Sequence, residues 1–277
     1  MTAIRVPAWY YQQFDADATL DIPAEGYGGW QQTEIDISAE HTAVVLMHAW
    51  DTGTPDDFPG WYRAVEYLPR AREIARTILP DLLDTVRRSP LPLLHVVGGG
   101  DYYQDLPGYQ RAVRLAGPDP DQPMRVDSDP ILEALTAFRS EHVFVGGHNQ
   151  ADVQRGFARL GFMPVARPVE DEGVAANSRQ LLALCREAGI NHLIYAGFAI
   201  NWCLLLSPGG MADMSRHGIM CSALRQAVTA VENRETARQQ LGKENGLWRV
   251  ALAYGFVFDV PSFRQALEPT PALPAAG

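Results

Sequence analysis

A cysteine in the last third of the chain, Cys203, stands where a thiol could act as a nucleophile. It follows a short apolar run, residues 192–196, which has the length of a buried strand and is closed by Gly197. The apolar residues 204–206 predict the start of a helix. A thiol at such a transition lies at the carboxyl edge of a sheet, where open α/β folds bind ligands, and a helix N-terminus favours the thiolate. Because most free cysteines are small apolar core residues, position alone leaves both interpretations open.

The residues around Cys203 resemble the motif of a known family. The sequence Gly197-Phe-Ala-Ile-Asn-Trp-Cys-Leu is similar to the Gly-x-x-Thr-Asn-x-Cys-Val signature of the isochorismatase-like cysteine hydrolases, which include nicotinamidases, carbamoylases and biuret-type amidases. Ser207 stands where the family has Thr, and residues 223–232 resemble the family's Leu-Arg-Asp-Ala-Thr-x-Ala-x-Glu stretch. The resemblance covers about residues 42–267. It implies a three-layer, Rossmann-like α/β/α fold with a largely parallel sheet, and a cysteine-dependent hydrolase.

The resemblance implies an Asp general base at the end of the first strand, but this chain has His48 there, directly after the apolar run 42–47. A neutral imidazole can deprotonate a thiol, as it does in other Cys–His pairs. Asp51, three residues later, could orient the imidazole or replace the missing carboxylate. The structural alternative is that His48 only fills space in the pocket.

The family's Lys, at the end of a middle strand, has two candidate positions here. One alignment places Gly147 or His148 there, and the other places Arg167, which is followed by Pro168 as in the family's strand-Lys-Pro ending. We favour Arg167 because it lies at a more usual distance before Cys203. An Arg would stabilise a thiolate or an oxyanion without exchanging protons at neutral pH. A surface salt bridge to the acidic residues 170–172 is the structural alternative.

The turn before the cysteine is implied to supply the oxyanion site. The Phe198–Ala199 peptide occupies the place where family members carry a non-proline cis bond. The backbone amides that follow, at Ile200, Asn201 and Trp202 and at the cysteine itself, would then face the substrate oxygen. The Asn201 side chain is expected to fix the turn.

The remaining pattern predicts the elements that position these residues. Continuous apolar runs predict parallel strands at 42–47, 91–97, 192–196 and 219–224, with further strands at 142–146 and 162–166. Helical spacing covers residues 68–88, with a break near Pro80. The domain prediction is an extended arm at 1–40, one α/β domain at 41–268 and a disordered tail at 269–277.

Composition limits the classes of function. The net charge of −10 argues against nucleic acid, and three cysteines without a pairing pattern suggest a reducing, cytoplasmic compartment. No apolar run is long enough to span a membrane, and no dinucleotide, P-loop or zinc-protease motif occurs, so we expect a small-molecule substrate and neither cofactor nor metal. Exposed aromatic residues in the arm predict a homo-oligomer: Tyr10, Tyr11, Tyr27 and Trp30.

A non-catalytic relative that retains the fold as a binding or structural protein is the alternative to the hydrolase. The intact turn from Gly197 to Cys203 favours catalysis. The changes at the Asp and Lys positions, together with Gln226 where the family has Asp, favour loss of activity.

Overall fold

The central sheet is built from short apolar strands that are buried on both faces. All six residues of the third strand are buried, as are those of the strands on either side of it. The computed structural model describes residues 2–118 and 127–268. Its strands are β1 Ala3–Gln12, β2 Gly29–Ser38, β3 Thr42–Met47, β4 Trp50–Asp51, β5 Leu93–Val96, β6 Gly161–Phe162, β7 Gly173–Ala175, β8 His192–Gly197, β9 Met220–Val228 and β10 Val257–Phe258.

Eight of these strands form one sheet in the order β2-β1-β10-β9-β8-β3-β5-β7. The six strands from β10 to β7 are parallel, whereas β1 pairs antiparallel with both β2 and β10. The four strands that the apolar runs predicted are therefore neighbours in one parallel sheet, and the predicted α/β fold class is confirmed. Strands β4 and β6 form a separate antiparallel pair beside the carboxyl edge of β3.

Helices cover both faces of the sheet. Alternation along β3 directs Val45 and Met47 to one core, and Val44 and Leu46 to the other. The helices are α1 Pro59–Ala64, α2 Leu68–Thr77, α3 Leu79–Arg88, α4 Pro107–Ala116, α5 Pro130–His142, α6 Gln150–Phe157, α7 Ser178–Ala188, α8 Cys203–Leu206, α9 Met211–Arg216, α10 Leu241–Ala253 and α11 Val260–Leu267. The first core is closed by α4, α7, α9 and α10, and the second by α2, α3 and α11.

Two strand predictions between β5 and β8 are wrong. Helix α5 extends to His142, and the residues after it form no strand because no sheet edge pairs with them, leaving Val143 and Phe144 exposed. The run 162–166 contributes one residue to β6 and then forms a 3-10 turn, Pro164–Ala166. The edge strand is instead β7, whose three small residues carry too short a pattern to be predicted.

The stretch predicted as an extended arm is a β-hairpin of the main sheet. Strands β1 and β2 pair along their whole length, and β1 joins β10 at Trp9 and Val257. Tyr11 packs edge-on against both Trp30 and Trp248. Tyr11 and Trp30 therefore have partners within the chain and do not argue for a second subunit, whereas Tyr10 and Tyr27 make no ring contact with any residue that the structure describes.

The predicted tail, residues 269–277, lies outside the described residues. In the part of the chain that the structure describes, no helix is both long enough and apolar enough to cross a membrane.

Candidate functional site

The ends of β3 and β8 bring His48 and the cysteine turn to the same edge of the sheet. The two strands are paired in register, with Met47 opposite Gly197. His48 directly follows the first strand, and the turn that ends at Cys203 directly follows the second. This pairing therefore places both chain segments at the carboxyl edge of the sheet.

The turn from Gly197 to Cys203 is fixed by hydrogen bonds on both sides. Gly197 has φ of 125°, and a Cβ atom there would lie 2.0 Å from the Met47 carbonyl oxygen, so only glycine fits. The Phe198–Ala199 peptide is cis. The Asn201 side chain donates to the Val231 carbonyl at 2.8 Å and accepts from the Val231 amide at 2.9 Å. Asn201 thus fixes the turn to the chain after β9.

The amides of this turn are not all free to bind an oxyanion. Those of Phe198, Ile200 and Trp202 donate to the carbonyls of Met47, Thr229 and Ala199, respectively. The N–H groups of Ile200 and Trp202, which the resemblance implied as oxyanion donors, therefore already have acceptors in the chain. Among the described residues, the amides of Ala199, Asn201 and Cys203 donate to no protein acceptor.

Cys203 differs from the other two cysteines in its accessibility. It is partly exposed at the first residue of α8, whereas Cys185 and Cys221 are buried. Burial raises the pKa of each buried thiol to about 12, so both stay protonated near neutral pH. The helix predicted after Cys203 is a single turn of four residues, so its dipole contributes less to a thiolate than the sequence suggested.

His48 lies in a dry environment. Its imidazole is 8% exposed and stacks on Trp50, with 4.4 Å between ring centroids. Its Nδ1 is buried and has no hydrogen-bond partner within residues 2–118 and 127–268. Burial lowers the pKa of His48 to about 4, which keeps the ring neutral near pH 7 and available only as a proton acceptor.

Asp51 does not orient this imidazole. Its carboxylate accepts a hydrogen bond from the Gly53 amide at 3.1 Å, and the residue is exposed. The local turn uses the carboxylate, and the orphaned Nδ1 of His48 shows that no other group takes over the predicted orienting role among the described residues.

Arg167 does not end a strand, because it follows the 3-10 turn Pro164–Ala166. Its carbonyl accepts a hydrogen bond from Arg87, which lies in the last turn of α3. That end of α3 leads into the amino end of β5. Its side chain is exposed and, among the described residues, makes no hydrogen bond or ion pair with His48 or Cys203. The alternative candidates, Gly147 and His148, lie in a 3-10 turn packed on α1.

A tyrosine that sequence reasoning missed stands near the cysteine. Tyr67 directly precedes α2, and the Cys203 thiolate is close enough to act on its ionisation. Burial first, and then the charges of Cys203 and Glu66, raise the pKa of the Tyr67 phenol, so it remains a hydrogen-bond donor. In the described part of the chain its hydroxyl makes no hydrogen bond. Only its place before the helix-starting Leu68-Pro69 pair could have drawn attention to it.

A cavity also lies away from this site. It has a volume of about 390 Å³ and lies at the opposite, amino edge of β5 and β7, lined by Arg87, Arg111 and Glu172 among others. No group of three His, Cys, Asp or Glu side chains is placed to hold a metal ion, as far as the described residues extend.

Comparison with known proteins identifies the fold. No protein-family model and no curated protein matches the sequence. Among solved structures, a cysteine hydrolase from Pseudomonas syringae pv. phaseolicola 1448A is similar with a TM-score of 0.51 at 12% identity, over 83% of this chain and 94% of that one. An isochorismatase-like hydrolase from Alkaliphilus metalliredigens has a TM-score of 0.47 at 16% identity, over 83% of this chain and 100% of that one. The chain therefore shares the α/β fold of the Pseudomonas syringae cysteine hydrolase.

Proposed function

We propose that this protein is a cysteine-dependent hydrolase of a small amide, ureide or isochorismate-like metabolite, with Cys203 as its nucleophile. The observation that carries the proposal is the contrast between the three thiols. Cys203 is accessible at the carboxyl edge, while Cys185 and Cys221 are buried and protonated. The fold shared with a cysteine hydrolase supports the same conclusion.

For an amide substrate, the reaction would follow two steps. The Cys203 sulfur adds to the carbonyl carbon, the C–N bond breaks, and the amine leaves with a proton to give a thioester. Water then adds to the thioester and releases the acid, which restores the thiol. His48 is the proposed acceptor of the thiol proton because it follows the strand paired with β8. Tyr67 and the free amides of Ala199 and Cys203 are the proposed donors to the oxyanion.

Two candidate residues from the sequence, Asp51 and Arg167, have no catalytic role in this proposal. Asp51 binds its own turn, and Arg167 is held by its carbonyl at the end of α3. The positive charge that the family draws from a Lys must therefore come from another part of the chain.

We also propose that the protein acts in the cytoplasm as a homo-oligomer, without a metal or organic cofactor and without binding nucleic acid. The three free cysteines suit a reducing compartment, and the net charge of −10 disfavours a polyanionic partner. Sedimentation at micromolar concentration tests the assembly, and a species of only 30.5 kDa would exclude it.

Alkylation by iodoacetamide near neutral pH tests the proposed nucleophile. We expect one equivalent to react, at Cys203, as located by peptide mass spectrometry. Cys185→Ala and Cys221→Ala should leave the stoichiometry unchanged, whereas Cys203→Ala should abolish it. A native chain that takes up no label, or that is labelled equally at Cys185, would exclude a cysteine mechanism.

A non-catalytic binding protein is the second candidate, and one observation favours it. The candidate base, His48, is desolvated under Trp50, and its Nδ1 lacks a partner among the described residues. A reactive Cys203 that forms no covalent intermediate with a panel of small amides, ureides and vinyl ethers would favour this function.

A further inference from the structure

Several hydrogen-bond donors without partners lie together beside the cysteine turn, between the start of α2 and the start of α10. The two helices approach the turn from different sides. Tyr67 and Arg70 stand at the beginning of α2, and α10 packs so closely on the turn that a Cβ at Gly246 would lie 3.3 Å from the Asn201 amide nitrogen. These donors belong to neither the cysteine motif nor the position of the family's Lys.

Arg70 is only partly used by the protein. Its Nη2 donates to Glu66 at 2.8 Å and to the Ala230 carbonyl at 3.4 Å. Its Nε is buried and has no acceptor anywhere in the described residues. A buried N–H group without an acceptor is costly, so an oxygen from outside the protein is expected to lie against it.

The sequence contains 23 lysine and arginine residues, of which Lys243 is the only lysine and the other 22 are arginines. Its backbone amide donates to Glu232 at 2.9 Å, and Glu232 in turn donates through its own amide to Glu66 at 3.0 Å. Lys243 is therefore linked to Arg70 through two acidic residues. Its ammonium group is half-buried and makes no hydrogen bond or ion pair with any residue that the structure describes.

Thr229 adds an uncharged donor on the α2 side. Thr229 directly follows β9, and the carbonyl of the next residue, Ala230, accepts the hydrogen bond from Arg70 of α2. Its carbonyl binds the Ile200 amide, which ties it to the cysteine turn. Its side-chain oxygen is buried without a partner in the described chain, as is the Nε of Arg70.

The acidic residues at this place are already occupied. The Glu232 carboxylate accepts from the amides of Gly242 and Lys243 and so caps α10. One oxygen of Glu66 accepts from both Arg70 and the Glu232 amide. The groups that lack a partner among the described residues are hydrogen-bond donors, and two of them belong to the cationic side chains of Arg70 and Lys243. An acceptor with two oxygens and a negative charge suits this arrangement, which is the chemistry of a carboxylate.

We propose that Arg70 and Lys243, with Thr229, form an anion subsite that binds a carboxylate group of the substrate while Cys203 attacks a neighbouring carbonyl carbon. The inference rests on the proposed function and narrows its substrate class to small amides or ureides that carry a carboxylate. It also supplies the positive charge that Arg167 does not provide.

The test compares two alkylating agents that differ only in charge. Iodoacetate carries a carboxylate and iodoacetamide does not, so their rate ratio at Cys203, divided by the same ratio for glutathione, measures attraction of an anion beside the sulfur. We expect this normalised ratio to be about 10 to 100 at low ionic strength, which is the gain in affinity that a hydrogen bond to a charged group provides. Arg70→Gln and Lys243→Met should each return this ratio towards one, and dividing by the iodoacetamide rate of the same variant removes any general change in the reactivity of the thiol.

The matched control is Arg76→Gln, because Arg76 is an exposed arginine of the same helix that pairs with Glu73. It should leave the ratio unchanged. If Arg70→Gln does not fold, as shown by circular dichroism, Lys243→Met alone decides. A Cys203 that iodoacetamide does not label contradicts the proposed function. A Cys203 that reacts with a normalised ratio of one, insensitive to both variants, contradicts only the subsite and shows that the donors bind water.

Discussion

Two halves of the carboxyl edge differ in the chemistry that they can support. At the β3–β5 half, His48 stacks on Trp50, which contacts Phe157 edge-on, and Phe157 stacks on Trp61. At the β8–β9 half, Cys203 lies near the Tyr67 phenol, and the proposed subsite adds Arg70 and Lys243, whose donors are in part unfilled. One half is dry and aromatic, and the other is polar and charged.

The contrast explains how the replacement of Asp by His can be compatible with the fold. A carboxylate under Trp50 would be desolvated without a partner, whereas a neutral imidazole can be buried there at much lower cost. The charge that a thiolate or oxyanion requires then has to come from the other half. The comparison therefore predicts that charge introduced beneath Trp50 is harmful and that charge removed beside Cys203 is harmful.

The largest effect is expected from placing a carboxylate in the dry half. His48→Asp should destabilise the chain by about 3–5 kcal/mol at pH 7 relative to His48→Asn, since it leaves an unpaired buried charge. The folded-state pKa of this Asp would be raised, so the difference should shrink as pH falls towards 4. Urea unfolding at both pH values measures it. Equal stability of the two variants at pH 7 would mean that the aromatic half is hydrated.

A somewhat smaller effect should appear in the pH dependence of the unmodified chain. Burial lowers the pKa of His48 to about 4, below the value of about 6.5 that it has in the unfolded chain. Between these values the unfolded state binds a proton that the folded state does not, so stability falls as pH falls from about 6.5 to 4. The loss attributable to His48 is about 3 kcal/mol. Burial lowers the pKa of His192 to about 4 as well, so the measurement is the difference between the wild-type and His48→Gln profiles. Parallel profiles would show that His48 is not desolvated in solution.

The two halves also differ in how far the sequence predicts them. Runs of consecutive apolar residues identify β3, β5, β8 and β9, because a strand buried on both faces carries its signal locally. The cysteine turn follows from its motif. The hydrophobic pattern fails between residues 142 and 167. An apolar run after α5 resembles a strand but has no strand to pair with, and the assignment of Arg167 depended on a second strand that does not form.

The polar half could not be predicted for a different reason. Tyr67, Arg70 and Lys243 lie near the starts of two helices that are far apart in the sequence, and no local spacing relates them. Only the packing of α2 and α10 around the turn brings them to Cys203. Lys243 did carry one signal, which is that it is the only lysine of the chain.

Removing the phenol beside the cysteine should have an effect of about tenfold. Tyr67 is proposed to donate a hydrogen bond to the thiolate that forms on Cys203, so Tyr67→Phe should slow iodoacetamide alkylation of Cys203 at pH 7 by about tenfold. The pH–rate profile separates this from a structural effect, because only a lost hydrogen bond shifts its midpoint. Tyr62→Phe is the control, since the Tyr62 hydroxyl binds the Gly53 carbonyl at 2.7 Å, away from Cys203. An unshifted midpoint in Tyr67→Phe would remove this residue from the polar half.

The smallest effect on the reactivity of Cys203 is expected from replacing Arg167. The guanidinium is exposed, and the carbonyl of the same residue is held by Arg87 at the end of α3 that leads to the amino end of β5. A solvent-screened charge at that edge acts only weakly on a thiolate at the opposite edge. Arg167→Ala should therefore change the alkylation rate of Cys203 by less than about twofold at physiological salt, whereas Arg70→Gln should alter the iodoacetate rate much more strongly. A tenfold decrease in the alkylation rate of Cys203 in Arg167→Ala would contradict this expectation and restore Arg167 as the equivalent of the family's Lys. The segment 163–172 would then have to reach the carboxyl edge in solution. In the structure its first residue, Met163, contacts that edge by donating to the Ala49 carbonyl.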